Sequence, residues 1–101
     1  MIKDLEDMQK RRRTRTQRDS LDLALTDLTA FYRDVLALQL GSRVAIANAD
    51  AEDALQRLAR GSSPEATLRR IEAIAGCRDA LDRNVAPLLA VEAMTMALRA
   101  G

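Results

Sequence analysis

The sequence predicts an all-α fold, a small bundle of four to five helices with a long N-terminal helix. No glycine or proline interrupts the first 40 residues, and apolar residues recur at the three-and-four spacing of one helix face. No segment has the strict apolar and polar alternation that indicates a strand. The 101 residues are enough for one domain, which at this length buries roughly two thirds of the surface of the unfolded chain.

The first helix is predicted to run from Met1 to Leu40. Its apolar stripe in the second half consists of Leu21, Leu25, Leu28, Tyr32 and Val35. Gly41 follows, and glycine at this position favours the left-handed cap that ends many helices. This part of the chain therefore supplies one long face for a helical core.

The second helix is short and is predicted over residues 51–60, before Gly61. The segment in front of it is a connector whose Val44 and Ile46 are expected to pack into the core. Asp50 is expected to cap this helix by accepting a hydrogen bond from a backbone amide of its first turn.

The third helix has the clearest start signal in the chain, in the segment GSSPEA. Either Ser62 or Ser63 is expected to be the N-cap, Pro64 suits the first turn, and Glu65 favours the positive end of the helix. Its predicted core face consists of Leu68, Ile71, Ile74, Ala75, Cys77 and Leu81.

The last helix is predicted from Pro87 to about Arg99 and is apolar around most of its circumference. Such a helix is expected to be buried nearly all round, either at the centre of the bundle or against a partner subunit. Leu89, Met94 and Met96 are the residues expected at a partner interface, and methionine as ordinary core filler is the alternative.

The N-terminal end of the long helix has a second apolar stripe, formed by Met1, Leu5 and Met8. At 100° per residue this stripe points roughly 160° away from the first one. Because the two stripes cannot face one core, residues 1–18 are expected to form a helical neck that continues from upstream domains. Residues 19–101 are expected to form the bundle.

The neck is strongly basic between Gln9 and Asp19 and has no apolar side chain there. Its candidate phosphate contacts are Lys10, Arg11, Arg12, Arg13, Arg15 and Arg18. The alternative is a solvated helix face without a partner. These cations point in several directions, and no aromatic side chain lies among them for base stacking, so DNA binding is expected to be weak or indirect.

Catalytic chemistry is not expected in this chain. It has no histidine and one cysteine, so it offers no imidazole base, no disulfide and no cysteine cluster for zinc. Its carboxylates are predicted to be solvated, and Cys77 to be buried and inert. We therefore expect no cofactor and no metal. We also expect no membrane contact and a soluble protein of the cytoplasm, because no apolar run approaches the roughly 20 residues that span a bilayer.

Both ends of the sequence resemble the clamp-loader subunits of bacterial DNA polymerase III. The segment RRIEAIAGCRDALDRNVAPLLAVEAMTMAL is similar to their C-terminal end, which has an Asn-Val-x-Pro break before a leucine-rich helix with an internal Glu. Here the motif is Asn84, Val85, Pro87 and Glu92. The segment QKRRRTRTQRDSLDLALTDLTAFYRDVLALQLG is similar to the delta-prime subunit. Ala86 departs from the related gamma/tau subunits, which often have a second Asn there.

The resemblance implies the C-terminal collar domain of a delta-prime subunit. In that family, collar domains hold together a pentameric complex that loads the sliding clamp onto primed DNA during replication. The implied partners are the gamma/tau and delta subunits. Self-association of this chain through its apolar last helix is a separate expectation, because an apolar patch left in water favours pairing. Two functions compete: an assembly domain, which needs apolar surface beyond its own core, and a nucleic-acid-binding module that uses Lys10–Arg18. The apolar last helix favours assembly, since the basic segment lacks a recognition helix.

Overall fold

The computed structural model describes residues 2–42 and 49–101. These residues form four α-helices and no strand. The helices are α1 (Ile2–Gln39), α2 (Glu52–Gly61), α3 (Pro64–Asp82) and α4 (Pro87–Ala100), and the short 3-10 turn Ala49–Ala51 precedes α2. The predicted all-α bundle with a long N-terminal helix is confirmed.

The end of α1 has the predicted glycine cap. Gly41 has a φ of 69°, in the left-handed region that glycine adopts without strain. Its amide donates to the carbonyl of Leu38 at 3.2 Å, and the amide of Ser42 donates to that of Ala37 at 2.8 Å. This pair of hydrogen bonds is the Schellman arrangement, which satisfies carbonyls of the last helical turn.

The starts of α2 and α3 differ in how they are capped. Ser63 is the N-cap of α3, and its side chain accepts from the amide of Ala66 at 3.1 Å. The predicted Asp50 cap is wrong, because Asp50 lies inside the 3-10 turn and Ala51 is the N-cap of α2, without a side-chain cap. The prediction for Val44 and Ile46 lies outside the described residues.

Helix α3 lies between α1 and α4 and packs on both. The buried core consists of Leu25 from α1, Ile74, Cys77 and Leu81 from α3, and Ala90 and Met94 from α4. Two residues of the predicted α3 core face are exposed instead, namely Leu68 and Ala75. They lie on the side of α3 that neither neighbouring helix covers, since a helix between two neighbours keeps one outer side.

Helix α1 is twice as long as α3, with 38 residues against 19. At 1.5 Å per residue these lengths are about 57 Å and about 29 Å. Residues 2–17 are all exposed, including Leu5 and Met8, which are 58% and 49% exposed. The inference that the N-terminal stripe does not share the core is therefore confirmed, and α1 projects from the bundle as a continuous helix.

A hydrogen-bonded network around Gln39 joins α1 to the turn between α2 and α3. The Gln39 amide nitrogen donates to the backbone carbonyl of Ser62 at 2.9 Å and to its hydroxyl at 3.2 Å. The amide oxygen accepts from the hydroxyl of Thr67 at 2.8 Å. Thr67 is fully buried, so its hydroxyl needs a partner inside the protein.

Replacing Gln39 by Leu should lower the free energy of unfolding by about 1–3 kcal/mol, because it removes the hydrogen bonds to the Ser62 carbonyl and to the buried Thr67 hydroxyl. The Thr67 hydroxyl then keeps only the carbonyl of Ser63, at 3.2 Å. Gln9→Leu is the matched control, since Gln9 lies on the exposed part of α1 and a surface change there is worth about 0.5 kcal/mol or less. Urea unfolding followed by circular dichroism measures both. Equal losses would mean that the network contributes nothing specific.

Candidate assembly surface

Helix α4 presents large apolar side chains to solvent. Ala90 and Met94 are buried in the core, whereas Leu88, Leu89 and Met96 are 70%, 61% and 72% exposed. Because α3 covers only one side of α4, α4 is not the central helix of this bundle, and its burial against a partner subunit stays a prediction. Of the three predicted interface residues, Leu89 and Met96 are available to a partner, and Met94 packs in the core.

An apolar groove of about 310 Å³ lies between α3 and α4. Leu89, Ala93 and Met96 are spaced i, i+4 and i+7 along α4, so they lie on one side of that helix. Leu89 and Ala93 line the groove. We define the α3–α4 surface as this groove and its border, formed by Gly76, Ala80, Leu89, Ala93, Met96 and Ala97.

Gly76 lies within α3 and on this surface. A glycine inside a helix is less favourable than alanine by roughly 0.5–1 kcal/mol. A Cβ built on Gly76 would have no heavy atom within 4 Å, so no contact inside the chain requires glycine at this position. Packing within the chain therefore does not explain glycine at this position.

The break before α4 depends on the motif residues Asn84 and Pro87. Asn84 has a φ of 64°, a left-handed conformation that Asn tolerates better than most side chains. The amide of Val85 then donates to the carbonyl of Ala80 at 3.0 Å, and Pro87 occupies the first turn of α4. Glu92 is exposed, so packing of the bundle does not account for it.

Arginine side chains hold both ends of the α3–α4 pair. At the start of α4, Arg18 donates to the side-chain oxygen of Asn84 at 3.1 Å. At its end, Arg69 donates to the carbonyl of Gly101 at 2.8 Å and 2.6 Å, and Arg70 donates to that of Leu98 at 3.2 Å. Cations at the carbonyl end of a helix are favourable, and these bonds orient the exposed side of α4.

The basic segment lies on the projecting part of α1. Lys10, Arg11, Arg15 and Arg18 line one open groove along that helix. Arg12 and Arg13 do not line it, and at 100° per residue they point to other sides. The interpretation that these cations do not share one face is confirmed for this pair, while the other four lie together.

Comparison with protein families identifies one match. The model of the C-terminal part of the DNA polymerase III delta subunit matches residues 7–96. The chain belongs to this family. No curated protein and no solved structure matches it.

Membership in the delta-subunit family makes the chain a C-terminal domain of a DNA polymerase III clamp-loader subunit. The matched family is that of delta, so it does not support the delta-prime subunit expected from the sequence. The resemblance to a clamp-loader subunit is confirmed, whereas the assignment to delta-prime is not. The matched residues include the basic segment from Lys10 to Arg18 and all of the α3–α4 surface except Ala97.

The thiol of this delta-family domain is buried, and its carboxylates differ in their exposure to solvent. Cys77 is buried, as predicted, and burial raises the pKa of its thiol. Asp34 is also buried, so the prediction that it is solvated is wrong, whereas Asp22 is exposed and pairs with Arg78 at 3.0 Å. Among the described residues, no group of three His, Cys, Asp or Glu side chains could hold a metal ion, and no helix is both long and apolar enough to cross a bilayer.

Sequence reasoning missed two features of this delta-family domain. The network of Gln39 and Thr67 has no local signal, because its members lie in different helices. Gly76 did have a local signal, since glycine inside a predicted helix is less favourable than alanine. That signal, together with the apolar residues of α4, would have indicated the α3–α4 surface.

Proposed function

We propose that this delta-family domain is an assembly domain of the clamp loader, a collar domain that binds another clamp-loader subunit through the α3–α4 surface. The observation that carries the proposal is the exposure of Leu89 and Met96 beside an apolar groove. Burying such a side chain contributes about 1.5–3 kcal/mol. The domain thus has apolar surface beyond what its own core uses.

The shape of the surface favours a helix as the partner element. Small residues on both walls of the groove, such as Gly76 and Ala93, allow a partner backbone to approach closely. An amphipathic helix that docks in an apolar groove is a common mode of recognition. Polar residues Glu72 and Asp79 flank Gly76 along α3 at helical spacing, and such a polar rim around an apolar centre is typical of interfaces between proteins.

In the complete loader, the domain would contribute attachment rather than catalysis. Its partners would be the corresponding helical domains of the gamma/tau subunits and of the remaining delta-type subunit. Such attachment would hold the subunits together while other domains open the sliding clamp and place it on primed DNA.

The double substitution Leu89→Asp and Met96→Asp should abolish co-elution of the chain with the other loader subunits in gel filtration. Two carboxylates at an apolar contact would lose their hydration, and burying an unpaired charge costs several kcal/mol. In the free chain both positions face water, so the thermal melting temperature should change little. Leu23→Asp is the matched control, because Leu23 is 65% exposed on α1, away from this surface.

Met94→Asp distinguishes the surface from the core. Met94 is only 9% exposed, so this substitution should unfold the free chain. Normal co-elution of the Leu89→Asp and Met96→Asp variant would place the interface elsewhere and remove the physical basis of the proposal.

Gly76→Ala should stabilise the free chain and weaken its association. The free energy of unfolding should rise by about 0.5–1 kcal/mol, because alanine is the better helix former and its methyl group meets nothing inside the chain. The same methyl group fills the groove, and overpacking of about 1–3 kcal/mol would weaken the complex about 5-fold to 150-fold. Urea unfolding and titration calorimetry measure the two effects.

Gly61→Ala is the control for that substitution. A Cβ on Gly61 also meets nothing within 4 Å, but Gly61 ends α2, outside the α3–α4 surface. It should leave association unchanged. Wild-type affinity of the Gly76→Ala variant would mean that no partner approaches the groove closely.

The position of the chain within the loader has two candidates. The family match favours delta, whereas the segment from Gln9 to Gly41 resembles delta-prime. Adding an excess of the chain while the loader assembles from full-length subunits should displace the subunit whose place it takes. We expect loss of delta from the complex, measured by gel filtration and denaturing electrophoresis, and loss of delta-prime instead would support the second assignment.

A further inference from the structure

The projecting part of α1 has a basic face that the proposed assembly function does not use. The face consists of Lys10, Arg11, Arg15 and Arg18, which lie along one open side of α1 together with Asp7 and Thr14. We propose that this face binds the phosphate backbone of duplex DNA, without sequence preference. The proposal does not depend on the α3–α4 surface, because the two lie on different parts of the chain.

Three of the four cations of this face are not used inside the described part of the chain. In the described residues, the side chains of Lys10, Arg11 and Arg15 form no hydrogen bond or ion pair. Arg18 differs, since it donates to Asn84 at 3.1 Å and so fixes the face against the end of the bundle. Unpaired cations on a rigid helix retain their charge for another molecule.

The spacing of the arginines suits a polyanion. Arg11, Arg15 and Arg18 are four and three residues apart, which at 1.5 Å per residue gives steps of about 6 Å and about 4.5 Å along the helix. Their guanidinium groups can bind phosphate oxygens in a bidentate manner. The face ends where Asp19 and Asp22 follow Arg18, so it has room for about three phosphate contacts.

Duplex DNA fits this face better than a single strand. Proteins that bind single strands stack the bases on aromatic side chains. The aromatic residues of this chain are Phe31 and Tyr32, 13 or more residues from Arg18, which is about 20 Å along the helix. We therefore expect contact with the phosphate backbone of the DNA only. Such contact does not distinguish one base sequence from another.

The test uses the 101-residue chain and a fluorescein-labelled duplex of about 20 base pairs in fluorescence anisotropy. Non-specific binding of this type has a Kd of about 1–100 µM. Three phosphate contacts give a salt slope of about −2.7, so raising the salt from about 50 to about 200 mM should weaken binding about 40-fold. No binding at about 1 mM protein in the lower salt would overturn the proposal.

The position of the charges is tested with two variants of equal net charge. Arg11→Gln with Arg15→Gln removes two contacts, so the same rise in salt should weaken its binding only about fourfold. Arg12→Gln with Arg13→Gln should keep the wild-type salt dependence, because these residues lie on other sides of the helix. Glutamine preserves helix propensity, so both should keep the helical circular dichroism spectrum. Equal effects of the two variants would mean that net charge, not this face, binds DNA.

Two further probes identify the class of partner. A labelled single strand of the same length should bind more weakly than the duplex. Tighter binding of the single strand would contradict the proposal that the face binds duplex DNA. Labelled polyglutamate of matched charge should also bind more weakly, and equal or tighter binding would indicate an acidic protein segment instead. Co-elution of the Arg11→Gln, Arg15→Gln variant with the loader subunits should remain normal, so failure of DNA binding and failure of assembly are separate results.

Discussion

The position of α3 between α1 and α4 is the constraint on which the rest of the structure depends. Ile74, Cys77 and Leu81 of α3 pack against α1 on one side and against α4 on the other. Because α4 has α3 as its main neighbour, the opposite side of α4 remains uncovered. Because α3 is half as long as α1, half of α1 has no helix beside it. Both candidate functional surfaces follow from this arrangement.

Polar contacts at the two ends of the bundle add to the core packing that aligns the helices. Interdigitating side chains of the core restrict sliding of α1 along α3, and directional hydrogen bonds reinforce this alignment. Gln39 binds Thr67 and Ser62 at one end, and Arg18 binds Asn84 at the other. A shift of α1 by one helical turn would break both sets of hydrogen bonds. The alignment sets the point at which α1 leaves the bundle and places the basic face next to its end.

The two surfaces differ in the physics of their interactions. Association through Leu89 and Met96 would be apolar and would change little with salt, whereas phosphate binding through Arg11 and Arg15 would weaken steeply with salt. They also lie apart, one on the side of the bundle and the other beyond its end. Under both proposals, the domain would join a complex through the first surface and contact DNA through the second at the same time.

Much of the fold was predictable from local signals in the sequence. The glycine cap at Gly41, the serine and proline start of α3 and the break at Pro87 act within a few residues, so local sequence locates the helices. The opposed stripes of α1 likewise predicted a projecting segment. Tertiary structure decided which apolar residues are buried. Met94 packs in the core, while Leu89 and Met96 stay exposed. It also decided the burial of Asp34 and the pairing of Gln39 with Thr67. Periodicity along one helix gives the direction of a side chain, but only the positions of neighbouring helices determine what covers it.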